Sequence, residues 1–373
     1  MAIDTQAISA IGFPCSACGG PTRFDADSQR LKCDYCGTDQ PIENVLLAPK
    51  EHRLTDDDAD ETAGTDWGVA QQAMQCEQCG GQSLIPATQT AASCVFCGSP
   101  KVLVQQGSRS IRPESVIPFR LSVKAAAERF YAWKRKRWFV PNAFKKGDID
   151  AKLTGIYVPY WTFDAETTSV YSAEVGVHHY RTVTKTRTVN GKTERYTEQE
   201  RYTVWHSTSG VYGRSFDDVL VPASGQYDAE LLEKLGNFDL AQLLPYKPEY
   251  LSGFIAERYS VSRADGWQRA EERMHETLSK EIRSKIGGDE IRGLRIGTDY
   301  GDRTFKHLLL PVWNARYVYK AKPYRFMVNG QTGLVSGRVP RSGVKITLFV
   351  LVCLAVVLGA IGLYIAYGSN ASV

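Results

Sequence analysis

The chain has 373 residues, 43% hydrophobic and 23% charged, an ordinary globular balance with length for two or three domains. Its net charge of +4 hides an asymmetry: residues 1–110 hold 7 Lys and Arg against 14 Asp and Glu, the remainder 38 against 27. Eight of nine cysteines fall in Cys-x-x-Cys pairs and the opening "MAIDTQAISAIGFPC" carries no secretory signal. A disulfide framework is therefore disfavoured, and the front part is expected in a reducing cytosol.

Residues 1–48 form a first predicted ribbon, with Cys15, Cys18, Cys33 and Cys36; residues 69–110 form a second, with Cys76, Cys79, Cys94 and Cys97. Both have 14 residues between their pairs, and every position is offset by 61. Four thiolates in two such pairs are the tetrahedral soft set that zinc takes, so two structural Zn²⁺ ions per chain are expected. A redox disulfide is the competing reading of Cys-x-x-Cys, and the doubled spacing favours zinc. With every thiolate engaged, no position is open for catalysis. Structural zinc contributes about 10–16 kcal/mol in finger peptides, so chelation is expected to unfold both ribbons. Two bound ions would bring the front to about −11, since each Zn(Cys)4 adds about −2. Such a surface repels a phosphate backbone, and a protein is the expected partner. Between the ribbons, residues 49–68 read as an acidic, solvated linker; its His52 is not recruited as a ligand.

Residues 111–340 form the body, expected to be α+β and rich in strands. Ser122 is placed to cap a helix from Val123 to Arg137, with Val123, Ala126, Ala127, Phe130 and Trp133 on one face, stopped by Pro141. Its end runs into "WKRKRWFVPNAFKK", whose Lys134, Arg135, Lys136, Arg137, Lys145 and Lys146 interleave with aromatics. This run suits anionic lipid or nucleic acid, or is a helix C-terminus welcoming cations while Trp138 and Phe139 enter the core. Thr182 to Trp205 alternates around Asn190-Gly191, which predicts a hairpin, polar on both faces, that projects as an arm. Ser262 and Asp265 open a second helix, Arg263 to Ile286, whose stripe of Trp267, Ala270, Met274, Leu278, Ile282 and Ile286 reads as core; Gly287 ends it. Phe305 to Pro340 reads as a meander with turns near Lys322-Pro323 and Asn329-Gly330. "VPYWTFDA" from Val158 resembles "LPVWNARY" from Leu310, either a duplicated unit or two similar strand entries.

Catalytic motifs are wanting. "VNGKT" lacks the first glycine of a phosphate loop, and adjacent His178 and His179 on a strand point to opposite faces. Asp217-Asp218 can pair with any base nearby. Ile346 to Tyr367 is an uncharged run of 22 residues, about 33 Å as a helix, long enough to span a hydrocarbon core of about 30 Å. Cys353 lies within it as a small apolar residue, and Tyr364 and Tyr367 suit an aromatic belt. Arg338, Arg341 and Lys345 precede it, and the short tail 368–373 carries no charged side chain. The expectation is a single-pass, tail-anchored inner-membrane protein, its N-terminal domains cytoplasmic and its C-terminus outside.

Taken together, "CSACGG…CDYCG", "CEQCGG…CVFCG", "VIPF", "FVPNAFKK", "GIYVPYWTFDA" and "LLLPVWNARYVYKAKPYRFMVNGQTGLVSGRVP" resemble the bacterial membrane-anchored TFIIB-type zinc-ribbon proteins, the YdjG-like family, often labelled replication-restart helicases. No motor motif is present here. The resemblance implies zinc on the eight ribbon cysteines, and operons with PspA-like coat proteins and SPFH proteins. It thus points to a non-enzymatic scaffold or adaptor recruiting such partners in envelope stress. A membrane-tethered nucleic-acid-binding protein is the alternative.

Overall fold

The computed structural model describes residues 13–43, 50–55, 67, 71–86, 94, 96, 99, 101–105, 111–146, 153–189, 192–227, 229–236, 238–320 and 322–368. It is β-rich with few helices. A small sheet comes first, strands β1 (Phe13–Pro14), β2 (Pro21–Asp25), β3 (Arg30–Cys33) and β4 (Asp39–Gln40) in sequential order. Everything else joins one large sheet: β5 (His52–Arg53), β6 (Gln71–Cys76), β7 (Gln82–Pro86), β8 (Val102–Gln105), β9 (Ser115–Val116), β10 (Thr154–Val189), β11 (Lys192–Pro222), β12 (Leu244–Pro245), β13 (Ile255–Glu257), β14 (Glu290–Tyr319), β15 (Lys322–Asn329) and β16 (Val335–Gly337). Among the described residues five α-helices accompany the sheets: α1 (Val123–Lys136), α2 (Asn142–Lys146), α3 (Ala229–Glu233), α4 (Arg263–Ile286) and α5 (Gly343–Gly368).

At the middle of the large sheet β10 and β14 lie antiparallel, and over residues 155–163 and 305–315 they are buried on both faces. That is why "HLLLPVW" is a continuous apolar run rather than an alternating one. Leu309 and Trp313 face a cluster with Phe119 and Phe130 of the α1 unit; Leu308, Leu310 and Val312 face a second cluster with Leu232 of α3 and Phe96. Further along β10, Trp161 and Phe163 meet Ala270, Met274, Leu278 and Ile282 of α4.

The two Pro-Trp stretches are related by a local two-fold. Val158 is directly opposite Leu310, its counterpart in the sequence match. On either side, β9 runs parallel to β14 (Ser115 with Leu308) and β13 runs parallel to β10 (Ile255 with Ile156). The Trp161 indole donates to Val261 O at 3.2 Å, and that of Trp313 to Leu121 O at 3.0 Å, each reaching across to the other unit. The units β9-α1-β10 and β13-α4-β14 thus repeat, and the buried helix positions Ala126, Phe130 and Lys134 match Gly266, Ala270 and Met274.

Both helices start where the sequence places them, and α4 also ends there. The hairpin is far longer than residues 182–205: β10 and β11 pair without a break in the ribbon from Ala165 to Val189. Its inner part is stiffened by β14 up to Gly176, opposite Glu290. Beyond that, 13 residues per strand continue as a bare ribbon, about 40 Å of arm. Arg181–Glu200, Lys185–Glu198 and Arg187–Glu194 ion pairs cross it. Val189 is opposite Lys192; the expected turn residues Asn190 and Gly191 lie outside the described residues. In the meander Tyr319 pairs with Lys322, so Lys322 and Pro323, expected near the first turn, belong to β15 instead.

Residues 49–68 are not simply a solvated linker. His52 and Arg53 pair with Phe305 and Thr304, Leu54 is buried, and Trp67 is buried with its carbonyl accepting the Tyr246 hydroxyl. The second cysteine-bearing unit is likewise part of the large sheet, since Leu84 and Ser83 of β7 pair with Ala256 and Glu257 of β13.

Candidate metal centres

Cys15 and Cys18 sit in the turn after β1; Cys33 ends β3 and Cys36 lies in the turn that follows it. Each first cysteine opens a knuckle of one form. Cys15 N–H donates to Gly20 O at 2.7 Å and Cys33 N–H to Thr38 O at 3.0 Å, while Gly19 and Gly37 N–H return to the Cys15 and Cys33 carbonyls at 2.8 and 3.1 Å. Gly19 and Gly37 carry φ of 73° and 72°, a left-handed conformation that glycine takes without Cβ strain. The knuckles face each other: Cys15 Sγ lies 3.6 Å from Cys36 Sγ, and Cys18 Sγ 3.5 Å from Cys33 Sγ. Ala17 N–H points at Cys15 Sγ at 3.4 Å.

Hydrogen bonding among the sulfurs drives their titrations apart. Cys18 receives the Gly20 N–H, which favours its thiolate, yet the Cys36 and Cys33 sulfurs hold it up to about 12. Cys36, taking hydrogen bonds from the Thr38 hydroxyl and N–H, is pulled down to about 6. Four thiolates this close ionise together only around a cation.

The second cluster repeats the form. Cys76 N–H donates to Gly81 O at 3.0 Å, Cys94 N–H to Ser99 O at 2.8 Å, and Gly80, at φ 70°, to Cys76 O at 2.9 Å. Cys79 Sγ is 3.7 Å from Cys94 Sγ, and Phe96 N–H points at Cys94 Sγ at 3.3 Å. Cys76, Cys79 and Cys94 come together; the eighth expected ligand, Cys97, lies outside the described residues. Phe96 ties this cluster to the body: its ring meets Tyr227 edge-on at 5.7 Å and its carbonyl accepts from Arg325 at 2.6 Å.

His52 is in neither cluster; its Nε2 lies 2.6 Å from Glu114. His178 meets Glu290 at 3.4 Å while His179 stacks on Tyr202, as opposite faces require. Asp217 and Asp218 join Asp164 in an acidic trio. Lys306 answers it, 2.8 Å from Asp218 and 3.0 Å from Glu51. Burial alone would lower the Lys306 pKa, but these carboxylates raise it, and the trio reads as part of an ion-pair network around a buried lysine.

The basic run divides. Lys134 is buried, its ammonium over the Tyr131 and Phe144 rings at 4.9 and 5.3 Å, and so offers no surface to a partner. The reason is positional: it occupies the core-facing place that Met274 fills in α4. Arg135, Lys136 and Arg137 are exposed, Lys145 is half-buried, and the Lys146 side chain lies outside the described set. Trp138 and Phe139 do not enter the core: they are 70% and 37% exposed. Phe139 instead meets Phe349 of α5 edge-on at 5.4 Å, a partnership no local pattern announces. α5 is apolar over Gly343–Leu363, mean hydropathy 2.9, with none of its most apolar stretch buried. It is long and apolar enough to cross a membrane. Cys353 is exposed on it; the Tyr364 and Tyr367 side chains lie outside the described residues.

Fold and site together define a β-rich α+β protein with clustered cysteines at the front and one apolar helix toward the end. The chain is 30% identical over 342 residues to the Uncharacterized protein YdjG of Bacillus subtilis, an alignment covering 90% of this chain and 92% of that one. It belongs to the YdjG family. No protein-family model and no solved structure matches the chain.

Proposed function

We propose that the protein is a non-enzymatic zinc-ribbon scaffold, anchored by α5 with its body at the cytoplasmic face of the bacterial inner membrane, that recruits protein partners. The observation that carries this reading is the paired sulfur geometry. A tetrahedral ion with bonds of about 2.3 Å needs sulfurs about 3.8 Å apart. The facing sulfurs stand at 3.5, 3.6 and 3.7 Å, far beyond a disulfide bond, with backbone N–H groups turned toward them. A closed four-sulfur site leaves no position for substrate, so zinc here supplies shape. Positive-inside asymmetry around α5 supports the orientation. Partners of the PspA-like or SPFH type are proposed from the family resemblance.

The test is crosslinking and affinity capture from native membranes with the intact protein and with Cys76→Ser/Cys79→Ser. Enrichment of such membrane-associated proteins by the intact chain, lost in the variant, is the expected result. Equal capture by both would remove the ribbons from partner docking. Binding of DNA or RNA by the intact protein that weakens steeply with salt would favour the nucleic-acid reading instead.

A further inference from the structure

The end of α1 and the start of α5 are built into one corner. Ser342 N–H donates to Phe139 O at 2.7 Å. The Lys345 ammonium donates to Val140 O at 2.8 Å, Asn142 Oδ1 at 2.6 Å and Trp138 O at 3.3 Å. There is little slack between body and span: Arg338 N–H is bonded to Arg325 O at 3.1 Å, and α5 begins at Gly343. Phe349 stands one turn past Lys345, about 6 Å deeper along the helix. The Phe139 ring that touches it must share that depth.

Trp138 adjoins Phe139 and is 70% exposed, an indole that the fold leaves uncovered. Around it Arg135, Lys136, Arg137 and Arg341 are exposed, and the Arg137 guanidinium lies over Trp133 at 4.6 Å. No Asp or Glu occurs in residues 129–146 or 335–345. An aromatic pair at the depth where a span enters hydrocarbon, flanked in sequence by Arg135, Lys136, Arg137 and Arg341, matches the chemistry of an anionic bilayer interface.

We infer that residues 135–139 form a second membrane foot: Trp138 and Phe139 enter the headgroup boundary beside α5, and Arg135, Lys136, Arg137 and Arg341 bind anionic phospholipid headgroups. This rests on α5 being a span. Because α1 is stacked into the body core, Phe130 on Phe326 at 3.5 Å, the foot fixes the orientation of the whole body on the membrane.

The test reconstitutes the full chain and Trp138→Phe into vesicles of phosphatidylcholine, alone or mixed with phosphatidylglycerol, carrying lipids brominated near the headgroup end of the acyl chain. The emission difference between the two proteins isolates Trp138 among seven tryptophans. It is expected to be blue-shifted and quenched about twofold or more by bromolipid, more so with phosphatidylglycerol. Arg135→Glu/Lys136→Glu/Arg137→Glu should abolish the phosphatidylglycerol increment. Protein that floats with the vesicles while Trp138 is quenched by aqueous iodide and not by bromolipid overturns the foot and leaves the span standing. Protein that does not float with vesicles at all overturns the span and the foot with it. Quenching indifferent to phosphatidylglycerol overturns the headgroup role.

Discussion

Glu257 on β13 has no exposed surface; its Oε1 takes the Ser224 hydroxyl at 2.6 Å, while Oε2, like the Tyr160 and Tyr227 hydroxyls, is buried with no hydrogen-bond partner among the described residues. Burial pushes its carboxyl up to about 8, only partly offset by Ser224. The folded chain therefore holds a proton that the unfolded chain, at the ordinary 4.5, releases. The stability this group contributes is full below about 4.5 and is lost as pH rises toward 8. The Glu257→Gln variant cannot titrate there. Between about pH 5 and pH 8 the urea midpoint of the natural protein in detergent should fall relative to that of Glu257→Gln, by the equivalent of a few kcal/mol. Parallel pH profiles would refute the assignment. The clustered cysteines were legible because spacing is a local signal that carries the metal-site geometry. Glu257 was not, because a glutamate in "FIAERYS" reads as a surface position until β7 and the Tyr227 loop cover it.

Helices α1 and α4 show how far such local signals reach. Ser122 and Ser262 look alike as caps in the sequence, and both have extended backbone at the cap position. Only Ser262 accepts a hydrogen bond from the helix, from Asp265 N–H at 3.1 Å, and its hydroxyl also donates to Asp265 Oδ2 at 2.8 Å. Ser262→Ala should therefore cost about 1 kcal/mol and Ser122→Ala close to nothing, read as midpoint shifts in the same urea titration. Equal shifts would contradict the difference in capping. The arm was legible in part for a related reason. Its outer ribbon alternates polar and β-branched residues and announces a hairpin, whereas the inner strands bury Phe163, Ala165, Tyr171 and Phe216 under α4, a pattern that only the long-range pairing with β14 explains.

At the scale of the molecule, the two-fold core anchors the two cysteine units unequally, although in sequence they are copies. The first has its own sheet of two- to five-residue strands, and Phe24, Ala26 and Leu31 are its buried apolar side chains apart from cysteine. Those side chains pack against the body core, the Phe24 ring 5.5 Å from Tyr250 and 6.4 Å from Phe254, but among the described residues no strand of the unit pairs with the large sheet. Its hydrogen-bonded links are Phe24 N–H to Ser252 O at 2.9 Å, the Ser252 hydroxyl to Thr22 O at 2.7 Å and Gln29 to Phe119 O at 2.7 Å. The second extends the large sheet through β7 and buries Ala73, Met74, Leu84 and Phe96. Short strands with so little core do not persist without a staple, whereas β6–β8 keep a paired neighbour in β13. Identical spacing thus predicted identical dependence on metal, and the tertiary pairing that breaks the equivalence is invisible to spacing. On the proposed zinc reading, a strong chelator should lower amide protection across residues 13–43 at least about a hundredfold, while residues 71–86 lose their knuckle but keep most strand protection. Hydrogen exchange read by mass spectrometry distinguishes the cases, and returned Zn²⁺ should restore the first unit. Equal collapse of both units would mean that β7 gains nothing from β13; no change in either would remove the metal from both.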